Sequence, residues 1–270
     1  MVSGGDAVQD VTYIPTEEQP DRNLVVLLLD TSGSMGSAEE QGGITKISQL
    51  TTALEEFLET GMHVDSLLDG GVNRLQVNGE IAIGAFREEV QGHQEVRWLK
   101  LASYPVQAGS PFYYVQDVVG LSPEARSELQ AKGGTPMAEA LHEALDVIEA
   151  RKDGLLTDGL THECRPNMFL LTDGAASSPI YDVAERLHRE EADNRVLFWA
   201  FGTPKCARNQ LLTLADKGPN CIFLDKRPIA SVLAFVNKSM RHQQGSPEMS
   251  AREHYESADQ YMDDTEMHPE

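Results

Sequence analysis

Between Asn23 and Met240, short apolar runs alternate with segments whose apolar residues recur every three or four positions. LVVLLL at 24–29 is continuous, short and valine-bearing, the pattern of a strand buried on both faces. IAIGAF at 81–86, MFLLT at 168–172, VLFWAF at 196–201 and CIFLD at 221–225 have the same character. EVRWLKLA at 95–102 alternates charged and apolar residues, which predicts a half-exposed edge strand hairpinned to 81–86. The helical period appears in Ile47, Leu50, Leu54 and Phe57, ending near Gly61, and again in Met137, Leu141, Ala144, Leu145 and Ile148. Further helices are predicted over 180–191, over 208–216, and on the stripe Ile229, Val232, Leu233, Val236 and Met240. The stretch 103–123 is rich in turn formers and reads as turns. Strands alternating with helices predict an α/β fold of the Rossmann-like, doubly wound kind. Its sheet is mostly parallel with an antiparallel edge strand, and helices cover both faces.

Outside that region the pattern changes. Residues 1–21 are polar, contain Pro15 and Pro20, and read as a loose arm. Residues 243–270 have no apolar period and hold eight acids against one base, Arg252, which predicts a disordered acidic tail. The folded domain is expected over 22–242.

Composition narrows the function. The 270 residues carry 22 Lys and Arg against 43 Asp and Glu, a formal charge of −21, and no basic patch interrupts the excess. Nucleic-acid phosphates and anionic membranes are therefore poor partners. The N-terminus has neither the basic nor the apolar region of a secretory signal. Cys164, Cys206 and Cys221 form no CxxC pair, so they read as packed free thiols in a reducing compartment. A soluble, cytoplasmic, monomeric protein is expected.

The chemistry sits at strand ends, where open α/β sheets bind ligands. The first strand runs into Asp30-Thr31-Ser32-Gly33-Ser34-Met35-Gly36, and the strand at 168–172 runs into Asp173-Gly174. Gly133-Gly134-Thr135-Pro136 precedes the helix beginning at Met137. If the strands at 24–29 and 168–172, the first and fourth in the chain, are neighbours, two carboxylates meet, and a cation is what lets both stay ionised. With Ser32, Ser34 and Thr135 the set is all oxygen, suited to Mg²⁺, with Mn²⁺ and Ca²⁺ as alternatives. Two acids neutralise a divalent ion and leave it electrophilic toward one more oxygen. Each segment also suits a plain turn, with Ser34 as a helix N-cap; their joint occurrence favours the metal. Met35, the 36–43 loop, Phe86, Arg87 and 175–179 are expected to rim the site. His142 and His188 read as solvated helix residues, and Trp98 and Trp199 as packing.

At these residues the sequence resembles the von Willebrand factor type A (VWA) domain, over roughly 22–240. The resemblance implies a metal-ion-dependent adhesion site (MIDAS) in which Ser32, Ser34 and Thr135 touch the metal while Asp30 and Asp173 act largely through water. Within that family, GGTPMAEALHEALDVIEARK and CRPNMFLLTDG look like the bacterial tellurite-resistance branch (TerY-like, YegL-like). That likeness implies a stress-response setting with kinase or phosphatase partners. The resulting expectation is a non-enzymatic protein-binding module whose metal completes its shell with a partner's Asp or Glu. Two alternatives stand beside it. One is a Mg²⁺-dependent phosphotransferase or phosphatase using Asp30, which lacks the second acid that Ser32 replaces. The other is a scaffold with a vestigial site and a binding tail. A hydrolase triad of Asp158, His162 and Ser177 or Ser178 is disfavoured because no GxSxG is present.

Overall fold

The computed structural model describes residues 23–38, 42–61, 79–88, 94–159, 165–216, 218–225 and 227–242. The expected arm, the acidic tail, Cys164 and His162 lie outside the described residues.

The chain runs β1 (Asn23–Asp30), α1 (Lys46–Glu56), β2 (Gly79–Glu88), β3 (Gln94–Trp98), β4 (Tyr113–Tyr114), α2 (Pro123–Glu128) and α3 (Met137–Thr157). It continues through β5 (Asn167–Thr172), α4 (Tyr181–Ala192), β6 (Leu197–Gly202), α5 (Arg208–Leu214), β7 (Cys221–Phe223) and α6 (Ala230–His242). One sheet holds all the strands in the order β3-β2-β1-β5-β6-β7, with β4 also paired to β2. Neighbours from β2 to β7 are parallel, while β3 and β4 run antiparallel to β2.

Alternation along β1 assigns the two faces. Val25, Leu27 and Leu29 pack with Leu50 and Leu54 of α1 and Val232 and Val236 of α6. Leu24, Val26 and Leu28 pack with Leu141 and Leu145 of α3, Val183 of α4 and Leu211 of α5. Both faces are therefore covered, and the continuous apolar runs of the parallel strands follow from that double burial. The architecture is doubly wound α/β, as the alternation predicts.

The edge differs from expectation. The strand predicted over 95–102 ends at Trp98, and Leu99 and Leu101 turn inward to 1% and 3% exposure. The stretch read as turns, 103–123, holds the two-residue β4 and ends where α2 begins, the N-cap Ser122 accepting a hydrogen bond from Ala125 N. Two-residue pairing is too short to leave a period-two signature in sequence. Among the described residues no helix is long and apolar enough to cross a membrane.

Candidate metal centre

The winding of the sheet creates the site. From β1 the chain moves outward to β2, then returns to place β5 on the other side of β1. The carboxyl ends of β1 and β5 thus border the point where the winding reverses, and Asp30 and Asp173 sit there. The expected neighbourhood of these two strands is observed.

Hydroxyls and amides organise the carboxylates. Asp30 is fully buried; its Oδ1 accepts from Ser32 N at 2.8 Å and its Oδ2 from Thr172 Oγ1 at 2.5 Å. Ser34 Oγ donates to Asp173 Oδ1 at 2.6 Å and lies 3.0 Å from Ser32 Oγ. Burial is the main reason the Asp30 carboxyl is pushed up from 3.8 to about 6; the Thr172 and Ser32 hydrogen bonds oppose it, and the charge of Asp173 adds to it.

The third segment arrives through glycine. Gly133 holds φ +70°, and a β-carbon there would lie 1.7 Å from Glu88 O, so only glycine lets this loop lie against the end of β2. The loop is pinned by Gly33 N to Gly133 O at 2.9 Å, Glu88 N to Gly134 O at 3.1 Å and Lys132 N to Thr31 O at 3.0 Å. Thr135 exchanges two hydrogen bonds with Ser177, giving N–H to its Oγ at 2.7 Å and accepting from its N–H at 2.8 Å. Gly174 closes the ring: a β-carbon on it would stand 2.9 Å from Thr135 Oγ1, 3.5 Å from Ser34 Oγ and 3.7 Å from Asp30 Oδ2. Three oxygens from two chain segments, the 30–34 loop and Thr135, therefore surround one point beside a third segment at Gly174.

All five residues singled out in the sequence come together, four of them buried and Ser34 exposed toward solvent. The donors are carboxylate and hydroxyl oxygens. Among the described residues no group of three or more His, Cys, Asp and Glu side chains is arranged for a metal. Such a donor set suits a hard divalent cation and offers nothing to a soft one.

The structure adds residues the sequence reading did not include. Lys46 is 3% exposed, and its Nζ donates to Asp173 Oδ2 in a buried ion pair. Its signal lay in the helical period, since Lys46 stands four residues before Leu50 on the buried stripe of α1. Thr172, which holds Asp30, also accepts from Gly174 N at 3.2 Å.

The rim is corrected. Met35 is fully buried in the core shared with α1, and Phe86 is fully buried in the opposite core. Arg87 is 2% exposed and bonded to Glu128. From β2 it is Glu88 that reaches the mouth, its carboxylate lying over Gly134. The exposed surface there comes from Gly33, Ser34, Gly36, Ser37, Ala175, Ser177 and Pro179. His188, expected in solvent, is half-buried, and its Nε2–H donates to the carbonyls of Thr213 and Leu214 at the end of α5. Ser178 donates to Glu139, Ser177 accepts from Thr135 N, and Asp158 is exposed at the end of α3.

No family model matches the chain, and no curated protein does. Solved structures do share its fold. The N-terminal domain of TFIIH p34 aligns at a TM-score of 0.50 and 12% identity, over 82% of this chain and 99% of that one. The ArnB paralog VWA2 from Sulfolobus acidocaldarius is similar at a TM-score of 0.46 and 16% identity, over 79% of this chain and 44% of that one. The manganese-loaded TRAP protein of Plasmodium vivax is similar at 0.43 and 17%, over 79% and 72%. The chain spans less than half the length of VWA2, and also of the proximal thread matrix protein 1 of the mussel byssus, which aligns at a TM-score of 0.47 and 15% identity over 82% of this chain and 47% of that one. At such identities the likeness is one of fold alone: this is a doubly wound α/β domain.

Proposed function

We propose that the chain is a non-enzymatic, divalent-metal-dependent protein-binding module. Asp30, Ser32, Ser34, Thr135 and Asp173 hold the ion, Mg²⁺ before Mn²⁺ or Ca²⁺, and a partner's Asp or Glu completes its shell. When bound, the ion supplies a Lewis-acidic position for that outside carboxylate. The chain's own residues do the rest: Thr172 and Ser32 N orient Asp30, Ser177 orients Thr135, and the glycines let the loops approach. The observation that supports this reading is the arrangement of Thr135, Ser34 and Asp30 oxygens about Gly174, beside Asp173. Ser34 is the exposed member and marks the side from which a partner would approach.

The test is calorimetric titration of Mg²⁺, then Mn²⁺, into EDTA-stripped protein. One bound ion per chain is expected, and Asp30→Ala is expected to abolish it. Absence of divalent binding by the intact chain overturns the reading. Turnover of a generic phosphoester that disappears in Asp30→Asn would instead favour an enzyme. The tellurite-resistance-like setting, kinase or phosphatase partners and a cytoplasmic location remain part of the proposal, resting on the motif resemblance. So does the division into arm, domain and acidic tail.

A further inference from the structure

Lys46 is an unexpected companion for a cation site. A lysine side chain is rarely buried unless paired. Here the pair is made with Asp173, whose other oxygen already accepts from Ser34 Oγ at 2.6 Å. Asp30 likewise has both oxygens engaged, by Ser32 N and Thr172 Oγ1. The two carboxylates are thus provided for by the chain itself, and among the described residues the full positive charge bonded to them is the ammonium of Lys46.

Its placement is costly in a second way. Lys46 is the first residue of α1, following the N-cap Thr45, whose Oγ1 accepts from Ser48 N. The N-terminus of a helix favours anions and disfavours cations. The backbone there is nevertheless fixed, with Lys46 N donating to Ser37 O at 3.1 Å and Ala38 bridging Thr45. The segment after the Asp30 loop therefore delivers a cation back to that loop's own partner, Asp173, against the preference of the helix that carries it.

We propose that Lys46 is a tethered counter-cation of this site: its ammonium occupies the Asp173 carboxylate and competes with a divalent ion for it. The inference rests on the reading of the site as a metal centre. Its physical content is charge balance. A divalent ion neutralises both carboxylates and one ammonium neutralises only one of them; with both present the cations repel across one carboxylate. Lys46 therefore stabilises the chain before metal enters and weakens metal binding afterwards, so that the ion is held reversibly.

The experiment compares the intact chain with Lys46→Met, Lys46→Gln and, as a control for net charge, Lys100→Met at an exposed position. Mg²⁺ is titrated calorimetrically into each EDTA-stripped protein, and melting temperature is recorded in EDTA and in saturating Mg²⁺. Both Lys46 variants are expected to melt lower in EDTA, to bind Mg²⁺ about tenfold tighter or more, and to gain more from Mg²⁺ than the intact chain; Lys100→Met should match the intact chain. Lys46→Gln keeps a donor toward Asp173 and guards against loss of folding in Lys46→Met. A variant that folds only with Mg²⁺ also supports the exchange of one cation for the other. Binding by the intact chain with equal or weaker binding in both Lys46 variants overturns this inference and leaves the metal reading standing. No binding in any protein overturns both. Binding by the variants alone upholds the competition and overturns metal loading of the intact chain.

Discussion

Two buried ion pairs stand at opposite ends of the sheet, and their chemistry differs. At the amino end, Glu80, the second residue of β2, meets Arg151 of α3, with side-chain exposures of 0% and 6%. At the carboxyl end, Asp173 meets Lys46 with exposures of 0% and 4%. The depth is the same. Arg151 is a fork that gives Nε to one Glu80 oxygen at 2.6 Å and an NH2 group to the other at 2.8 Å, and this bonding raises the guanidinium's already high pKa. Lys46 is a point charge on one oxygen, the other oxygen is left to a serine hydroxyl, and a second buried carboxyl stands nearby. A bidentate pair in which both carboxylate oxygens are taken by one guanidinium is a closed structural clamp. A monodentate pair among hydroxyls and a second acid is one that another cation can open.

The comparison can be broken most severely at the clamp. Arg151→Met leaves the Glu80 carboxylate buried without its partner, and a loss of about 3–5 kcal/mol in chemical denaturation is expected. That loss should be the same in EDTA and in Mg²⁺, which marks it as structural. The next effect belongs to the other pair. With Mg²⁺ at about 100 times its dissociation constant, the intact chain should gain about 2.7 kcal/mol, measured as a shift in denaturation midpoint. Asp173→Asn should lose that gain, and Arg151→Met should keep it. Equal responses in these two variants would erase the distinction between the pairs.

A finer probe is Gly174→Ala. The added carbon would crowd Thr135 Oγ1 at 2.9 Å, so about 1–3 kcal/mol of destabilisation is expected together with weaker Mg²⁺ binding. The smallest expected effect is on pH dependence. The folded Asp30 carboxyl ionises at about 6 against an ordinary 3.8, so the folded state binds more protons than the unfolded chain between these values. Its contribution to stability is full below 3.8 and is lost as pH rises to about 6. In EDTA, the difference in unfolding free energy between the intact chain and Asp30→Asn should therefore change across that window. A flat difference would mean that the buried carboxyl is not held in its neutral form.

How much of this was legible depended on the range of the interaction. The runs at 24–29, 81–86, 168–172 and 196–201 became strands because double burial demands continuous apolar side chains, which local sequence records directly. Asp30, Ser32, Ser34, Thr135 and Asp173 were identifiable because each lies where a strand or loop must end at the ligand-binding side of such a sheet. Met35, Phe86 and Arg87 were misplaced on the rim, since adjacency along the chain says nothing about which way a side chain turns. Met35 turns into the core under α1, and Arg87 into a bond with Glu128.

The sequence by itself determined the alternation of elements, the chemistry of the donors and their location at chain ends of strands, because these follow from periodicity and from side-chain type. The packing of the elements alone brings Lys46 to Asp173 across 127 residues, Arg151 to Glu80 across 71, and Thr172 to Asp30 alongside the loop's own Ser32 N. Those are choices of partner among many equally charged candidates. They are made by the order of strands and the packing of helices on them, which bring together residues that no local pattern connects.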